Sequence, residues 1–417
     1  NVKELVEAIV MKLRRYYRTE DYFVAPADHT QEVVQQFNLP DNVEIHDSTL
    51  RDGEQQAGIA FTVENKIRIA ELLAEAGVQR IEAGMPASSK VDAEAIGKIV
   101  KRNLGPKIFA FSRATEKDVR LAADLGVYGV ALEIPVNEEL IRFGYRWPKE
   151  RAMESVLKAS TLAHELGLYV DLFLMDSSRL TSEDFIDRVS KIRRDGWIDS
   201  CCLVDTQGVL SAPAVHYLVR RAKKALDLPI EVHFHNDLGL AVGNSLAGFE
   251  EGASVIHTTV LGMGPRAGQA ATEQVALALR LLYGADIGIR LDKLYSLGRE
   301  VGELAKFQYP VNQPVIGDTL YTIESGMPAS WWRNIKDSHP LSFYGILPQT
   351  VDRPDIAIGL GKGSGTASIQ IWLEKLNIDI TDPDIIAEIL QKVKDKAVEK
   401  HGGLNEEEFL EILAPYR

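Results

Sequence analysis

Two histidines separated by one residue are the side chains of this sequence best suited to holding a metal ion. His233 and His235 stand in the segment "VHFHND" at positions 232–237. If this segment is a β-strand, its period of two residues puts both imidazoles on one face, where they can reach a single cation. The alternative interpretation is a pair of buried histidines that hydrogen-bond to their neighbours.

A carboxylate elsewhere in the chain offers a third ligand. Asp52 follows another apolar run, in "HDSTLRDGEQ" at positions 46–55. With the two histidines it makes a set of one oxygen and two nitrogens, which leaves coordination positions open for substrate or water. Asn236 and Asp237 follow the histidines directly and are candidates to hydrogen-bond them from behind.

The arginine that precedes this carboxylate predicts an anionic substrate. Arg51 carries a guanidinium, which pairs with a carboxylate through two parallel hydrogen bonds. A purely structural ion pair with Glu82 or Glu133 is the alternative for the same residue.

Such side chains need a scaffold that gathers the ends of several strands, and the sequence repeats a strand-then-helix pattern eight times. The apolar, β-branched runs lie at 43–48, 78–84, 107–112, 128–134, 168–175, 198–205, 230–236 and 253–261. Helical patterns lie between them, and several end in Gly. This alternation predicts an α/β fold, a (β/α)8 TIM barrel over 42–285. An N-terminal helical arm over 1–41 would precede it, and small, mostly helical C-terminal subdomains over 286–417 would follow.

In a barrel of this kind the chemistry is located at the carboxyl ends of the strands. Polar residues occur at several of the predicted ends and are candidates for contacts with the substrate. They are Gln55 after the first strand, Glu82 at the second, Arg113 at the third and Thr206 at the sixth. Arg113 or Arg142 could supply the second cationic contact that a dicarboxylic acceptor needs.

Two glycine-rich segments invite a comparison with phosphate-binding loops. "LGMGPRAGQ" (261–269) contains Gly262, Gly264 and Arg266, and glycines before a helix allow close approach of an anion. A phosphate-bearing ligand would suit this loop, and a plain turn is the alternative. "GLGKGSG" (359–365) lacks the GxxxxGK[ST] spacing, so a turn between subdomains is expected there.

Composition excludes several classes of partner. The net charge of −13 argues against binding to nucleic acid, and no apolar run reaches the ~18 residues of a membrane span. The charged amphipathic start suggests a packing or dimer arm, with a membrane-surface helix as the alternative. The two cysteines, Cys201 and Cys202, are adjacent, which fits a reducing cytoplasm. We therefore expect a cytoplasmic protein that acts on small molecules.

Several motifs resemble those of one known family. "HDSTLRDGEQQAG" and "VHFHNDLGLAVGNSLAGFEEGA" are similar to the DRE-TIM metallolyases, and within them to the Claisen-condensing branch. That branch comprises 2-isopropylmalate, homocitrate, citramalate and Re-type citrate synthases. "NQPVIGDTLYTIESGMP" and "HPLSFYGILPQTVDRPDIAIGLGKGSG" resemble the subdomain segments that follow the barrel in the condensing enzymes. The resemblance covers about 43–417.

The resemblance implies a function for the candidate residues. Asp52, His233 and His235 would bind a divalent metal (Mg²⁺, Mn²⁺, Co²⁺ or Zn²⁺) that chelates a 2-oxo acid, and Arg51 would stabilise the oxygen that becomes negative. Thr206 would contact the carboxylate of the 2-oxo acid, and the loop 262–268 would approach acetyl-CoA or another acyl-CoA. The product would be a 2-hydroxy-2-carboxymethyl acid such as homocitrate, citrate, citramalate or isopropylmalate. The resemblance also implies a homodimer formed through the C-terminal subdomains.

The sequence departs from the family where protons are moved. Met175 stands where the condensing enzymes carry a glutamate, and Pro328 where they carry a histidine supplied by a partner subunit. The tyrosine of the following segment matches Tyr344. The groups that could take over the proton transfer are Glu324, Asp176, Tyr344 and Glu82. A metal-dependent lyase or aldolase acting on a 2-hydroxy acid, and a catalytically silent homologue, are therefore the alternatives to condensation.

Overall fold

The computed structural model describes residues 17–416. These residues form two compact units: residues 26–309 make one, and residues 17–25 with 310–416 make the other. Most of the predicted N-terminal helix, residues 1–16, lies outside the described residues. Within the rest of the predicted arm, the chain forms a 3₁₀ turn at Pro26–His29 and a single helical turn, α1, at Gln31–Val34.

The larger unit is a closed barrel of eight parallel strands that follow one another in chain order. The strands are β1 (Glu44–Asp47), β2 (Arg80–Glu82), β3 (Lys107–Arg113), β4 (Gly129–Pro135), β5 (Tyr169–Met175), β6 (Ser200–Asp205), β7 (Ile230–Phe234) and β8 (Val255–Thr258). β8 closes the barrel by pairing with β1 from Glu44↔Val255 to Asp47↔Thr258. The predicted TIM barrel is thus confirmed, and every predicted apolar run overlaps one of its strands.

Alternation along the strands separates the inside of the barrel from the helix-covered outside. Phe111 on β3 and Phe173 on β5 are not on neighbouring strands, yet their rings lie 5.5 Å apart. Phe173 in turn contacts His233 on β7, with the ring centroids 5.0 Å apart. These contacts across the barrel show which residues face its interior, and His233 is among them.

Helices surround the barrel. They are α2 (Val63–Glu75), α3 (Lys90–Arg102), α4 (Glu116–Asp124), α5 (Lys149–Glu165), α6 (Ser182–Asp195), α7 (Ala212–Ala225), α8 (Ala241–Glu250), α9 (Thr272–Tyr283) and α10 (Leu294–Ala305). Thr62, Ser89, Thr115 and Thr181 cap four of them, and each side chain accepts a hydrogen bond from the backbone N–H three residues later. Such caps satisfy amide groups that a helix start leaves without partners.

The barrel unit extends further along the chain than the predicted boundary at 285. Helix α10 belongs to it, because Arg68 on α2 forms an ion pair with Glu300 on α10 at 2.9 Å. Leu297 and Val301 of the same helix are also fully buried. The helix therefore completes the outer layer of the barrel unit, which ends at 309.

The smaller unit is mostly helical. It contains α11 (Gly326–Ile335), α12 (Thr366–Lys375), α13 (Pro383–Lys400) and α14 (Glu406–Leu413), and a short parallel pair of strands, β9 (Thr322–Ile323) and β10 (Ala357–Ile358). Asp382 and Asn405 cap the last two helices. Ile369, Ile389 and Phe409 are fully buried in its core. Among residues 17–416, none of the helices combines the length and apolar character needed to cross a bilayer.

Candidate metal centre

Three side chains predicted to bind a metal meet at the carboxyl end of the barrel. Asp52 lies just after β1, His233 lies on β7, and His235 follows β7 by one residue. Asp52 Oδ2 lies 3.2 Å from Nε2 of His233 and 3.7 Å from Nε2 of His235. The two Nε2 atoms are 3.3 Å apart. Residues separated by about 180 positions in the chain therefore offer three ligand atoms within 4.8 Å of one another.

The protonation states of these groups suit a metal ligand. Nδ1 of His235 lies 3.2 Å from the carbonyl oxygen of Gly268, which can only accept, so Nδ1 carries the proton and Nε2 has a free electron pair. Burial lowers the pKa of His233 to about 3 and also lowers the pKa of His235. Burial alone would raise the pKa of Asp52, but Arg51 and His233 hold it below its ordinary value. Two neutral imidazoles and one carboxylate are the forms that bind a cation.

The arrangement fits a divalent cation. Ligand atoms ~2.1 Å from a cation and at right angles to each other are ~3.0 Å apart, close to the 3.2–3.7 Å found here. Three electron-pair donors that converge in this way repel one another unless a proton or a cation lies between them. Imidazole and carboxylate ligands are compatible with several divalent metals.

A glutamine that the sequence did not single out holds the carboxylate ligand. Nε2 of Gln269 donates to Asp52 Oδ2 at 2.6 Å. Gln269 ends the loop 261–269, whose Gly268 supplies the carbonyl that orients His235. A Cβ on Gly268 would lie 1.8 Å from the carbonyl oxygen of Gly262, so this loop closes only with glycine there. Gln269 lies in a loop that the sequence marks as a candidate binding loop. Nothing in the sequence indicates that it contacts Asp52, 217 residues away.

Arg51 lies between the ligand set and a second carboxylate. Its Nη1 lies 3.1 Å from Asp52 Oδ1, and its Nε donates to Glu82 Oε2 at 3.0 Å. The guanidinium carbon lies 4.1 Å above the centre of the Phe111 ring. Nη2 is buried and has no hydrogen-bond partner among the described residues. The structural ion pair with Glu82 is therefore present, and one nitrogen remains available to a ligand.

Thr206, predicted to contact the substrate, stands near the mouth of the barrel after β6. Its hydroxyl oxygen accepts a hydrogen bond from the backbone N–H of Asp176 at 2.8 Å, which leaves the hydroxyl proton free to be donated. The carboxylate of Asp176 is itself held by Arg179 and by Asn137, whose Nδ2 donates at 2.8 Å. The carboxylate of Asp176 therefore has little capacity to accept a further hydrogen bond.

The predicted acyl-CoA loop contacts segments that follow β1, β6 and β7. Arg266 forms an ion pair with Asp237, with Nε 2.8 Å from Oδ1, and also donates to the carbonyl of Thr206. The backbone N–H of Gly264 donates to the side chain of Gln56 at 3.2 Å, and Gly262 adopts a positive φ of 66°. Asp237 thus pairs with Arg266 and does not support a ligating histidine as its position suggested. Binding of acyl-CoA by this loop stays a prediction.

Two predicted substrate residues lie at the surface. Gln55 is exposed at the end of a 3₁₀ turn, Gly53–Gln55. The side chain of Arg113 is 53% exposed and forms two hydrogen bonds with Asp118, at 2.7 and 3.1 Å. Both residues can reach solvent, and neither forms part of the buried cluster around Asp52.

A fully buried lysine supports the loop that carries Asp52. Lys66 on α2 donates to the carbonyl of Leu50 at 2.8 Å and forms ion pairs with Glu54, at 2.6 Å, and Asp92. Burying an ammonium group is costly unless it is paired in this way. The signal in the sequence is a lysine on the apolar face of a predicted helix.

A second polar cluster lies deeper in the barrel. Arg80 forms an ion pair with Glu231 at 3.0 Å, and His257 Nε2 lies 2.9 Å from the other oxygen of Glu231. The ring of His257 stacks on that of His46 at 4.2 Å. Both oxygens of Glu231 already have partners, so this cluster is best explained as a polar network that fills the barrel interior.

The two predicted catalytic residues beyond the barrel belong to the smaller unit. Tyr344 packs among aromatic rings, 5.2 Å from Tyr321 and 5.9 Å from Trp332, and burial raises its pKa to about 12. Glu324 accepts a hydrogen bond from Gly363 N–H at 3.2 Å. A Cβ on Gly361 would lie 2.4 Å from the carboxyl carbon of Glu324. The segment 359–365 is thus a turn around this carboxylate, as the lack of the phosphate-loop spacing indicated.

Comparison with known proteins agrees with this geometry. Residues 42–301 match the sequence profile of the family described as HMGL-like. The homocitrate synthase AksA of Methanopyrus kandleri is 36% identical over 366 residues, which cover 88% of this chain and 90% of that protein. The 2-isopropylmalate synthase of Methanocaldococcus jannaschii is 35% identical over 381 residues, or 91% of this chain and 71% of that protein.

A solved structure shares the fold. The hydroxymethylglutaryl-CoA lyase from Pseudomonas aeruginosa superposes with a TM-score of 0.59 at 22% identity, covering 65% of this chain and 95% of the lyase. At this level of identity the likeness shows the barrel architecture alone.

Proposed function

The chain belongs to the HMGL-like family, and on that premise we propose that it is an acyltransferase of the 2-isopropylmalate and homocitrate synthase type. The reaction joins the methyl carbon of acetyl-CoA, or of another acyl-CoA, to the keto carbon of a 2-oxo acid. Its products are a 2-hydroxy-2-carboxymethyl acid and free CoA. The observation that carries the proposal is the convergence of Asp52, His233 and His235 beside Arg51.

The cation supplies a single kind of chemistry in this scheme. A divalent metal held by Asp52, His233 and His235 is a Lewis acid that binds and polarises the 2-oxo acid. Imidazole and carboxylate ligands together leave positions open for such a substrate. Mg²⁺, Mn²⁺, Co²⁺ and Zn²⁺ are the candidates.

Side chains of the barrel supply the other interactions with the 2-oxo acid. Arg51 is held by Glu82 on one side and keeps Nη2 unpaired, so it can donate to the keto oxygen as negative charge develops there. A preoriented donor in a water-poor site is worth far more than in solution. Thr206 has a free hydroxyl proton that can be donated to the carboxylate of the 2-oxo acid.

The acyl-CoA contacts are proposed for the loop after β8. Gly262 and Gly264 expose backbone in a tight turn, and Arg266 supplies a positive charge near the mouth of the barrel. Gln55 and Arg113 are exposed and are proposed to contact the outer parts of the substrates.

Tyr344 and Glu324 are proposed to act after the carbon–carbon bond forms. The hydroxyl of Tyr344, whose pKa burial raises to about 12, stays protonated at neutral pH, so it can donate a hydrogen bond but is not available as a base. Glu324 is exposed in its glycine turn and can receive a proton from the water that hydrolyses the thioester.

We also propose a cytoplasmic homodimer formed through the smaller unit. Met327 and Trp331 lie one turn apart on α11 and are 67% and 53% exposed. Exposed apolar side chains of this size are a common feature of protein interfaces. Light scattering of the wild type and of the double variant Met327→Glu, Trp331→Glu measures the mass, and a dimer that becomes a monomer is the expected result.

Carbon–carbon cleavage of a 2-hydroxy acid is the second candidate function. Met175 replaces the glutamate that condensing enzymes carry, and the same metal site could serve a lyase. The relatives of about 35% identity are named as synthases, so condensation is the better supported direction. A non-catalytic role is less consistent with a complete ligand set.

A panel of acceptors tests the proposal. The purified chain is incubated with acetyl-CoA, Mn²⁺ and, in turn, pyruvate, 2-oxoisovalerate, oxaloacetate and 2-oxoglutarate, while free thiol is measured. We expect thiol release with one of these acceptors and none without an acceptor. No release with any acceptor, together with cleavage of a 2-hydroxy acid in the absence of CoA, would favour the lyase.

A further inference from the structure

The end of strand β5 lacks a group that can move a proton. Met175 occupies it, and a thioether is neither an acid nor a base. The proposed condensation, on which this inference rests, must remove a proton from the acyl methyl group, and a positioned base contributes typically ~10²–10⁴-fold to such a step. Another side chain inside the barrel must therefore take this role.

We propose that Glu133, on the neighbouring strand β4, is the carboxylate that removes this proton. The backbone of Glu133 pairs with Phe173, and that of Met175 pairs with Pro135. Glu133 is thus one strand across from Met175 and two residues lower. With strands ~4.8 Å apart and ~3.3 Å per residue, the two Cα atoms are ~8 Å apart, a distance that a glutamate side chain can largely bridge.

Glu133 faces the interior of the barrel. Ala131, two residues earlier on β4, packs in a buried cluster with Phe111 and Phe173, and alternate residues of a strand share a face. The same two phenyl rings lie beneath the guanidinium of Arg51, 4.1 and 5.6 Å from its carbon. The side chain of Glu133 therefore lies on the same part of the barrel interior as the two rings on which Arg51 stacks, next to the metal ligands.

The surroundings of Glu133 suit a base. Its one hydrogen bond among the described residues comes from the hydroxyl of Tyr145, at a long 3.4 Å. The side chain is almost buried, and this burial raises its pKa. A raised pKa makes the carboxylate a stronger base than a solvated one. The charged and titratable groups that act on it are Arg51, Arg113, Asp118 and Tyr145.

Other carboxylates nearby have stronger partners than Glu133 has, although Oε1 of Glu82 has none among the described residues. Glu82 is fully buried, and one of its oxygens is bound by Nε of Arg51 at 3.0 Å. Both oxygens of Asp176 are bound by Arg179 or Asn137. Glu133 combines a position inside the barrel, 8% residual exposure and a single weak partner.

The reaction balances with water as its only further reactant. A carboxylate oxygen of Glu133 takes a proton from the acyl methyl carbon, and the C–H bond breaks. The electron pair of that bond forms the new bond to the keto carbon of the 2-oxo acid. The π pair of the keto group moves to its oxygen, towards which Arg51 donates. The keto oxygen takes up a proton from solvent and becomes the hydroxyl group. Water then hydrolyses the thioester to a carboxylate and releases CoA, and the proton on Glu133 passes to solvent.

Two variants of Glu133 and one control test the assignment. Glu133→Gln keeps the size of the side chain and its ability to accept from Tyr145, but it cannot act as a base. Glu133→Asp keeps the acid and shortens its reach. Glu139→Gln removes an exposed carboxylate six residues further along and serves as the control. Each variant is assayed with acetyl-CoA, with trideuterated acetyl-CoA and with the acceptor that the panel identifies.

We expect Glu133→Gln to lower kcat by 10²-fold or more, with Mn²⁺ binding and the KM of the 2-oxo acid within about threefold of the wild type. The deuterium isotope effect should rise, because proton removal becomes rate-limiting, and the acidic limb of the pH profile should disappear. Glu133→Asp should recover part of the rate. If Glu133→Gln has the same isotope effect, pH profile and kcat as the wild type, the assignment of Glu133 is wrong and the proposed function still stands. If the wild-type protein releases no thiol with any acceptor, both are wrong.

Discussion

The two sides of the barrel mouth are built in different ways. On the side of β7, β8 and β1, two of the three ligands have a second group that fixes them: Gly268 for His235, and Gln269 and Arg51 for Asp52. On the side of β3 to β5, Glu133 has one long hydrogen bond and Arg113 is half exposed.

The difference follows from what each side is proposed to do. Metal ligands must converge on one point within a few tenths of an ångström, so groups behind them fix their orientation. A base has to reach a bound substrate, and a buried carboxylate with only one long hydrogen bond can do so. Substitutions on the metal side should therefore disturb metal binding, and those on the other side should disturb the rate or the choice of acceptor.

Loss of a metal ligand should have the largest effect. His235→Ala removes one of three ligand atoms, and the charge stabilisation that the cation supplies is worth several kcal/mol. We expect thiol release to fall by about 10³-fold or more. His339→Ala, an exposed histidine of the smaller unit, is the matched control and should retain wild-type activity; a comparable loss in both variants would contradict the assignment of the ligands.

Removal of the group behind Asp52 should have an intermediate effect. Gln269→Ala deletes the 2.6 Å hydrogen bond to Oδ2, and loss of such a partner typically lowers metal affinity by 10–100-fold. Gln56 contacts the same loop through Gly264 but touches no ligand, so Gln56→Ala should change the affinity by less than about threefold. Titration with Mn²⁺ measures both, and equal affinities in the two variants would show that Gln269 is dispensable.

The stability of the barrel should depend on pH through Glu273. Its carboxyl group lies under the loop after β8, where burial raises its pKa from 4.5 to about 7. The unfolded chain therefore gives up this proton first, and stability falls as the pH rises from 4.5 to about 7. Glu273→Gln should raise the free energy of unfolding by up to about 3 kcal/mol at pH 8 and leave it unchanged at pH 4.

Urea denaturation at the two pH values measures this difference. Glu303→Gln, an exposed residue of α10, is the control. A gain for Glu273→Gln that is as large at pH 4 as at pH 8 would contradict the raised pKa.

Arg113 should show the smallest effect on stability. It is about half exposed and paired with Asp118, and such surface ion pairs contribute ~0–1 kcal/mol. Arg113→Ala should lower the melting temperature only slightly but raise the KM of a dicarboxylic acceptor more than that of pyruvate. Equal changes of KM for the two acceptors would remove Arg113 from the substrate site.

The sequence predicts the barrel and the ligand set because both depend on short patterns. Short apolar, β-branched runs mark each strand, and the HxH spacing places His233 and His235 on one side of the chain at β7. A TIM barrel brings all strand ends to one face, so the meeting of Asp52 with these histidines follows from the fold.

The groups that hold the ligands are harder to predict from the sequence. Gln269 reaches Asp52 across 217 positions, and Lys66 holds the same loop from a helix. The role of such residues depends on side-chain contacts that no local pattern encodes. Asp237 illustrates the reverse case, because it stands next to the histidines in the chain but pairs with Arg266. The predicted end of the barrel domain at 285 is too early for a similar reason, since α10 joins the barrel unit through a long-range ion pair.

The most direct test of metal-dependent condensation is to measure the number of bound metal ions and the activity in the same titration. Metal-stripped chain is titrated with Mn²⁺, and thiol release with the active acceptor is measured at each point, for the wild type and for the double variant His233→Ala, His235→Ala. We expect one Mn²⁺ per chain, activity in proportion to the bound Mn²⁺, and neither tight binding nor activity in the double variant. Full activity of the stripped wild type, or Mn²⁺ binding and turnover that survive in the double variant, would contradict this expectation.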